Sequence, residues 1–244
     1  TDGEAILRGP QASALVVEMA RGRTMEIRFG GKVIASPSLA GSGAALRYMD
    51  AAQGRAGTVT ALVATGPIAA NAMRRPPLAP VVRRAIITPL PTPAVLSREE
   101  IAIVGRVTAC AEEMKQTDIK SSLHRLSRTE TLVLVPCGSG AYNFSSMALI
   151  ATGAAGHRSF RLAAFDYPPG WSESPDRPLL ANAAWTPASS RLESFAKGRG
   201  LGDCGGSEDY VWDGTRFRLV GASAMGECRG AWHWIPTWTA TVVE

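Results

Sequence analysis

The sequence predicts an α+β protein, mainly β: two antiparallel β-rich units, each with one or two short helices, joined by a Pro-rich connector. Three observations carry this reading. Short runs rich in β-branched and aromatic residues recur between turn residues, the signature of strands. Pro76, Pro77, Pro80, Pro89, Pro91 and Pro93 crowd one stretch, where fixed φ and missing donors exclude a helix interior or a central strand. Asp213–Gly214 lies between two alternating segments and marks a hairpin. The expected boundaries are an N-terminal β-rich domain with one helix over 1–75, a linker over 76–96, and a disulfide-stapled C-terminal α+β domain over 97–244.

Taken in order, "SALVVEM" (13–19) and "TMEIRF" (24–29) read as strands joined by a polar turn. "KVIA" (32–35) follows Gly30–Gly31 as another. "SGAALRYMDAAQG" (42–54) reads as a helix, with Ser42 as N-cap, Leu46 and Met49 on one face, and Gly54 as the stop. "GTVTALVA" (57–64) returns to strand. Arg74, Arg75, Arg83 and Arg84 make the connector basic. "SREE" (97–100) has the capping-box form, with Ser97 as N-cap and Glu100 at N3. Ile101, Val104, Val107, Ala111 and Met114 then recur at helical spacing, which predicts a helix over about 98–114. "TLVLV" (131–135) and "SFRLAAFD" (159–166) read as strands, 167–190 as a surface excursion, and "RLESFAKGRG" as a short helix stopped by glycine. Strands over 209–220 and 238–243 complete the chain.

A two-residue turn at Asp213–Gly214 sets Trp212 opposite Thr215, Val211 opposite Arg216 and Tyr210 opposite Phe217. Alternation places Tyr210, Trp212, Thr215, Phe217 and Leu219 on one face, which is expected to form a core wall.

Composition bounds the function. The 244 residues are long enough for a sizeable core, and 45% hydrophobic with 19% charged residues is ordinary for a folded chain. No apolar run approaches the ~18 residues that predict a membrane-spanning helix. The net charge is +5, and residues 1–84 hold 11 Arg/Lys against 5 Asp/Glu. These cations are scattered or paired and form no aromatic-interleaved platform, so no nucleic-acid partner is expected. No P-loop or dinucleotide fingerprint is present, and no cofactor is expected.

The four cysteines, Cys110, Cys137, Cys204 and Cys228, form no CxxC pair. His124, His157 and His233 lie far apart and outside metal-ligand spacing, so no metal site is expected. An even cysteine count beside glycines and element ends fits two disulfides in an oxidising compartment. Free thiols of a cytosolic protein are the competing reading. All six tryptophans follow residue 170: Trp171, Trp185, Trp212, Trp232, Trp234 and Trp238. They read as core, with a carbohydrate platform around "WHWIPTW" as the alternative. "PCGSGAYN" (136–143) offers Cys137 or Ser139 as a nucleophile but lacks the strand–GxSxG–helix setting of a hydrolase elbow. Tyr142, Asn143, Arg199, Asp203 and Arg229 are the candidate polar site, with an ion pair beside a disulfide as the simpler reading of the last three.

"SLAGSGAALRYMDAAQGRAGTVTALVATG" (38–66), "LVLVPCGSGAYNFSS" (132–146) and "GRGLGDCGGSEDYVWDGTRFRLVGASAMGECRG" (198–230) resemble the bacterial family catalogued as domain of unknown function eleven-seventy-six. The first segment is more weakly similar to the invasion-associated locus B proteins of Gram-negative bacteria. The family resemblance implies an exported envelope protein with six cysteines and no assigned activity. Four of those match here, and the other pair is expected upstream of Thr1, in an N-terminal segment that also carries a strand or two of the first domain. The resemblance implies a periplasmic or secreted location. Of the three possible pairings, Cys110–Cys137 and Cys204–Cys228 are expected. Each closes a loop of about 25 residues, worth roughly 3.5 kcal/mol by chain entropy. The resulting expectation is a non-enzymatic protein that binds an envelope protein or glycan, or inhibits a secreted enzyme. The alternative is a cell-wall-acting hydrolase with its site near Tyr142 and Asp203.

Overall fold

The computed structural model describes residues 6–70, 77–87, 90–170, 172, 174 and 176–244. Trp171, Arg74, Arg75, Pro76 and Pro89, singled out above, lie outside the described residues. The chain divides into two compact units, Thr1–Leu78 and Ala79–Glu244. The protein is mainly β with four helices among the described residues.

The first unit holds helix α1 (Pro10–Arg21), a hairpin of β1 (Ile27–Phe29) and β2 (Lys32–Ala35), and helix α2 (Ser42–Ala52). The strand expected over 13–19 is a helix. Pro10 opens it with a preset φ. Its half-buried Ala12, Val16, Met19 and Ala20 recur every three or four residues, the helical period. Two valines do not outweigh that spacing. The helices pack closely at Gly43, where a Cβ would stand 2.6 Å from the Ala20 carbonyl oxygen. Ser42 is not the N-cap of α2; Gly41 is, and the Ser42 hydroxyl donates to the Met19 and Leu39 carbonyls.

The strand expected over 57–64 is a compact loop. Asp50, fully buried on α2, accepts from the amides of Leu62, Val63 and Ala64 at 2.8–2.9 Å. It is also paired with Arg55 at 3.2 Å. One carboxylate thus takes the donors that a neighbouring strand would have taken.

The second unit is layered. One antiparallel sheet joins β4 (Ser122–Arg125), β5 (Glu130–Ser139), β6 (Phe144–Thr152) and β7 (Ser159–Leu162), with β8 (Leu179–Ala181) also paired to β6. The other runs β13 (Ile235–Thr239), β12 (Phe217–Met225), β11 (Gly205–Trp212), β10 (Arg191–Lys197), β9 (Ala184–Thr186). β5 is apolar on both faces because both are covered. Leu132 and Leu134 meet Leu192, Tyr210, Trp212, Phe217 and Leu219 in the core between the sheets. Val133 and Val135 meet Leu96, Val104 and Cys110 under the helices.

Those helices are α3 (Arg98–Thr108) and α4 (Ala111–Gln116), not the single helix expected over 98–114. Both arms of the capping box at Ser97 and Glu100 are formed. Ala109 then adopts a left-handed conformation (φ 57°), which ends α3 and turns the chain into α4. Gly105 permits the tight return, since a Cβ there would lie 3.1 Å from the Ala111 Cβ.

"RLESFAK" is strand β10, not a helix. Leu192 and Ser194 are fully buried while Glu193 between them is exposed, an alternation of period two. The excursion over 167–190 contains β8 and β9. Part of the expected connector is also structured: strand β3 (Val81–Arg83) pairs in parallel with β14 (Thr241–Val243). Val82 is buried there against Val211 and Val220. The flanking Pro80 offers only its carbonyl, which accepts from the Thr241 amide at 2.8 Å.

The 209–220 hairpin forms in a different register. Trp212 faces Phe217, Val211 faces Arg218 and Tyr210 faces Leu219. The loop runs over Asp213–Arg216, because Asp213 Oδ1 accepts from the Thr215 and Arg216 amides at 2.8 and 2.9 Å. A shift of two residues preserves the facing set: Tyr210, Trp212, Phe217 and Leu219 are buried together, and only Thr215 is lost to the exposed loop.

Candidate functional site

The residues expected to form a polar site gather in part around the 197–203 turn. The Tyr142 hydroxyl donates to the Gly198 carbonyl at 3.0 Å. Asn143 Nδ2 donates to the Lys197 carbonyl at 2.8 Å. Asn143 Oδ1 accepts from the Lys197 amide at 3.0 Å and from Asn182 Nδ2 at 2.8 Å. Asn182 in turn bonds the Phe195 carbonyl and the Phe144 amide. The Asn143–Asn182 pair therefore stitches β6 of one sheet to β10 of the other, with its polar atoms spent on backbone.

Asp203, buried, takes a two-pronged bond from Arg199 at 2.7 and 2.5 Å and the Gly230 amide at 2.6 Å. The Arg199 guanidinium holds its carboxyl well below the usual carboxylate range. Arg229 does not join this pair; it turns outward to Glu227 at 3.1 Å, and only the neighbouring Gly230 amide reaches Asp203. The cavity beside Tyr142 and Asn143, about 410 Å³, is lined by Ser139, Gly140, Ala141 and Ser145 with those two residues, and includes none of Arg199, Asp203 and Arg229. A carboxylate locked in its charged form beside a bidentate arginine is poorly suited to move a proton near neutral pH.

The sulfurs of Cys110 and Cys137 are bonded, as are those of Cys204 and Cys228. The observed hairpin register explains the second bond. Gly205 lies opposite Met225, so the ladder continued puts Cys204 beside Gly226, two residues from its partner. The Cys110–Cys137 bond ties the start of α4 to β5. Cys137 therefore has no thiol to act as a nucleophile.

The tryptophans are divided. Trp212 is fully buried, Trp185 and Trp238 pack on the core, Trp234 stacks on Phe195 at 5.0 Å, and Trp232 is exposed. Among the described residues the tryptophans form no single stacking platform. Three buried polar atoms have no hydrogen-bond partner among the described residues: Arg55 Nε in the first unit, and Glu208 Oε2 and the Tyr210 hydroxyl in the second. Burial pushes the Glu208 carboxyl and the Tyr210 hydroxyl up, and the Glu208 charge raises Tyr210 further.

Sequence reasoning did not single out a second concavity, away from the polar cluster. An apolar groove of about 560 Å³ lies between α3, α4, the 117–121 segment and β5. That volume falls in the range of small-ligand sites, about 300–1,000 Å³. One wall is the α3 stripe Arg98, Ile101, Ala102 and Gly105, whose spacing of three and four residues keeps them on one helix face. Met114 and Lys115 of α4, Ile119 and Lys120, and Pro136 of β5 complete it, with Val95 and Leu96 at one end. Val95, Ile101 and Ile119 are 82%, 46% and 47% exposed, an unusual display for aliphatic side chains sharing a cleft. The opposite face of α3 carries Glu100, Val104 and Thr108 into the interior. The helix is thus apolar over a wider arc than its core contact needs, which is the signal its sequence carried.

The lining contains three cations and no carboxylate. Lys115 pairs with Glu112 at 2.8 Å, while Arg98 and Lys120 have no hydrogen-bond or ion-pair partner among the described residues. The lining is therefore suited to holding an apolar group, and it brings no general acid–base pair to that group.

Fold and groove together define a disulfide-bonded, layered α+β protein with an open apolar cleft between two helices, and no described helix is long and apolar enough to cross a membrane. The chain belongs to the family described as protein of unknown function (DUF1176), whose model matches residues 1–241. It is 30% identical over 234 residues to the uncharacterized protein YpfG of Escherichia coli (strain K12), covering 93% of this chain. The chain spans 64% of that relative's length. No solved structure matches it.

Proposed function

We propose that this is an exported, non-enzymatic binding protein of the bacterial envelope, with the groove between α3 and α4 as its ligand site. The observation that carries the reading is the pairing of an exposed aliphatic cleft with a lining that lacks any carboxylate or histidine. A catalytic cleft needs convergent titratable groups, whereas a binding cleft needs shape and exposed apolar area. Aliphatic walls favour an apolar group over a sugar ring, which is held by stacked aromatics and hydrogen bonds. The two disulfides support a periplasmic or secreted location, where such bonds persist.

The test uses the neutral apolar dye Nile red, whose fluorescence rises in apolar surroundings. Wild-type protein is expected to bind it saturably. Ala102→Trp, at an exposed position on the groove wall, is expected to abolish binding without lowering Tm. Equal dye binding by both proteins would contradict the assignment.

A further inference from the structure

We infer that the groove takes a single-chain amphiphile with an anionic head, a fatty-acid-like molecule whose chain lies along α3 and whose carboxylate or phosphate sits among Arg98, Lys115 and Lys120. The inference rests on the proposed binding role of the groove and adds the chemistry of its occupant.

The first support is the division of the lining into parts. Val95, Leu96, Ile101, Ala102, Met114, Ile119 and Pro136 supply a continuous apolar surface. Of its four polar side chains, Arg98, Lys115, Lys120 and Ser121, all but the serine are cationic. A purely apolar ligand would leave those ammonium and guanidinium groups beside hydrocarbon with nothing to offset their partial desolvation. A sugar or polar peptide would leave the aliphatic walls unmatched.

The second is the charge balance. Arg98 and Lys120 are unpartnered among the described residues, and the ion pair Lys115–Glu112, with side chains 69% and 72% exposed, is weak enough to be exchanged for a better placed anion. Arg98 is also the first residue of α3. A cation there opposes the positive end of the helix dipole, and an anion bound nearby offsets that repulsion. Glu99 and Glu100 follow it, but Glu100 points into the interior and is fully engaged with Arg158 and backbone amides. No carboxylate of the lining neutralises the mouth.

Third, the walls are anchored. Arg158 donates to the Ala94 carbonyl at 2.7 Å, which fixes the chain just before Val95. The Cys110–Cys137 bond fixes α4 against β5. A cleft held open this way does not have to be opened by its ligand, which favours binding of a small flexible chain.

The experiment is displacement of Nile red by three probes that share one chain: dodecanoate, dodecyltrimethylammonium and dodecanol, each below its micellar concentration. Dodecanoate is expected to displace the dye at concentrations roughly tenfold lower than either of the others. Lys120→Glu combined with Arg98→Glu is expected to remove that preference while Nile red still binds. Equal displacement by all three probes would overturn the anionic head but leave the groove reading intact. Failure of every probe to displace a dye that Ala102→Trp excludes would overturn the acyl-chain ligand. Sedimentation with anionic phosphatidylglycerol vesicles, without displacement by monomeric dodecanoate, would make the site a membrane-docking surface and overturn the inference. Dye binding unaffected by Ala102→Trp would instead remove the groove reading itself.

Discussion

Arg158 and Glu100 form a buried ion pair at 3.1 Å, with side chains 3% and 2% exposed. The pair does more than join the start of β7 to α3. Glu100 Oε2 also accepts from the Ser97 amide at 2.9 Å, completing the capping box, and Oε1 accepts from the Gly156 and Arg158 amides at 3.0 and 3.2 Å. The same carboxylate starts the helix and holds the β6–β7 connection.

Removing one partner leaves the other charged and buried. Glu100→Gln or Arg158→Met is expected to cost on the order of 3–5 kcal/mol, read as a lower denaturant midpoint for the second unit. Loss of less than about 1 kcal/mol would mean that solvent already screens the pair.

The same residue predicts an acid response. Burial pushes the Glu100 carboxyl up, but the amides of Ser97, Arg158 and Gly156 and the Arg158 charge outweigh it and leave it below the ordinary carboxylate range. A folded value below the unfolded one stabilises above the unfolded value, about 4.3, and that contribution fades as pH falls through the folded value. Wild-type stability is therefore expected to drop below about pH 4 more steeply than that of Glu100→Gln. Parallel curves would assign the acid sensitivity elsewhere.

In the first unit, Asp50 replaces a strand partner for the 62–64 loop. Burial raises its carboxyl, and the Leu62, Val63 and Ala64 amides with Arg55 more than offset this. Asp50→Ala strands three donors and is expected to destabilise that unit by about 3 kcal/mol or more. Trypsin should then cut after Arg55 well before it cuts wild-type protein there. Unchanged cleavage would mean that the loop holds without the carboxylate.

Trp212 tests the inter-sheet core. It packs on Phe217 at 5.1 Å and is fully enclosed. Trp212→Ala is expected to cost about 3–5 kcal/mol, visible as a large fall in Tm. A wild-type Tm with altered ligand binding would reassign this face as a site.

The two disulfides separate stability from binding. Their sequence separations of 27 and 24 give similar loop-closure contributions, about 3.5 kcal/mol each by chain entropy. Replacing Cys110 and Cys137 with alanine should lower stability and weaken Nile red binding, since α4 loses its tie to β5. Replacing Cys204 and Cys228 should lower stability alone. Equal effects of both pairs on dye binding would disconnect the groove from α4.

Residues whose role is set locally were legible in the sequence. Ser97 and Glu100 form the capping box that "SREE" implies, and Tyr210, Trp212, Phe217 and Leu219 share the buried face that alternation assigns to them. What escaped was decided by distant partners. The 57–64 segment reads as strand by propensity, but Asp50 takes its amides. The Asp213–Gly214 turn signal is overridden by the Asp213 carboxylate, which organises a longer loop and shifts the register by two residues. The polar residues were noticed because of their chemical type, but Asn143, Asp203 and Tyr142 spend their polar atoms inside the fold. The groove was hidden because its walls come from α3, α4 and β5, and aliphatic residues at helical spacing look alike whether they face a core or a cleft.

Amide chemical-shift mapping with dodecanoate tests the central assignment most directly. The account expects shifts concentrated at Ile101, Ala102, Gly105, Lys115, Ile119 and Lys120, saturating together with one affinity. Shifts centred instead on Tyr142, Asn143, Arg199 and Asp203, with the α3–α4 groove silent, would contradict it and return the polar cluster as the site.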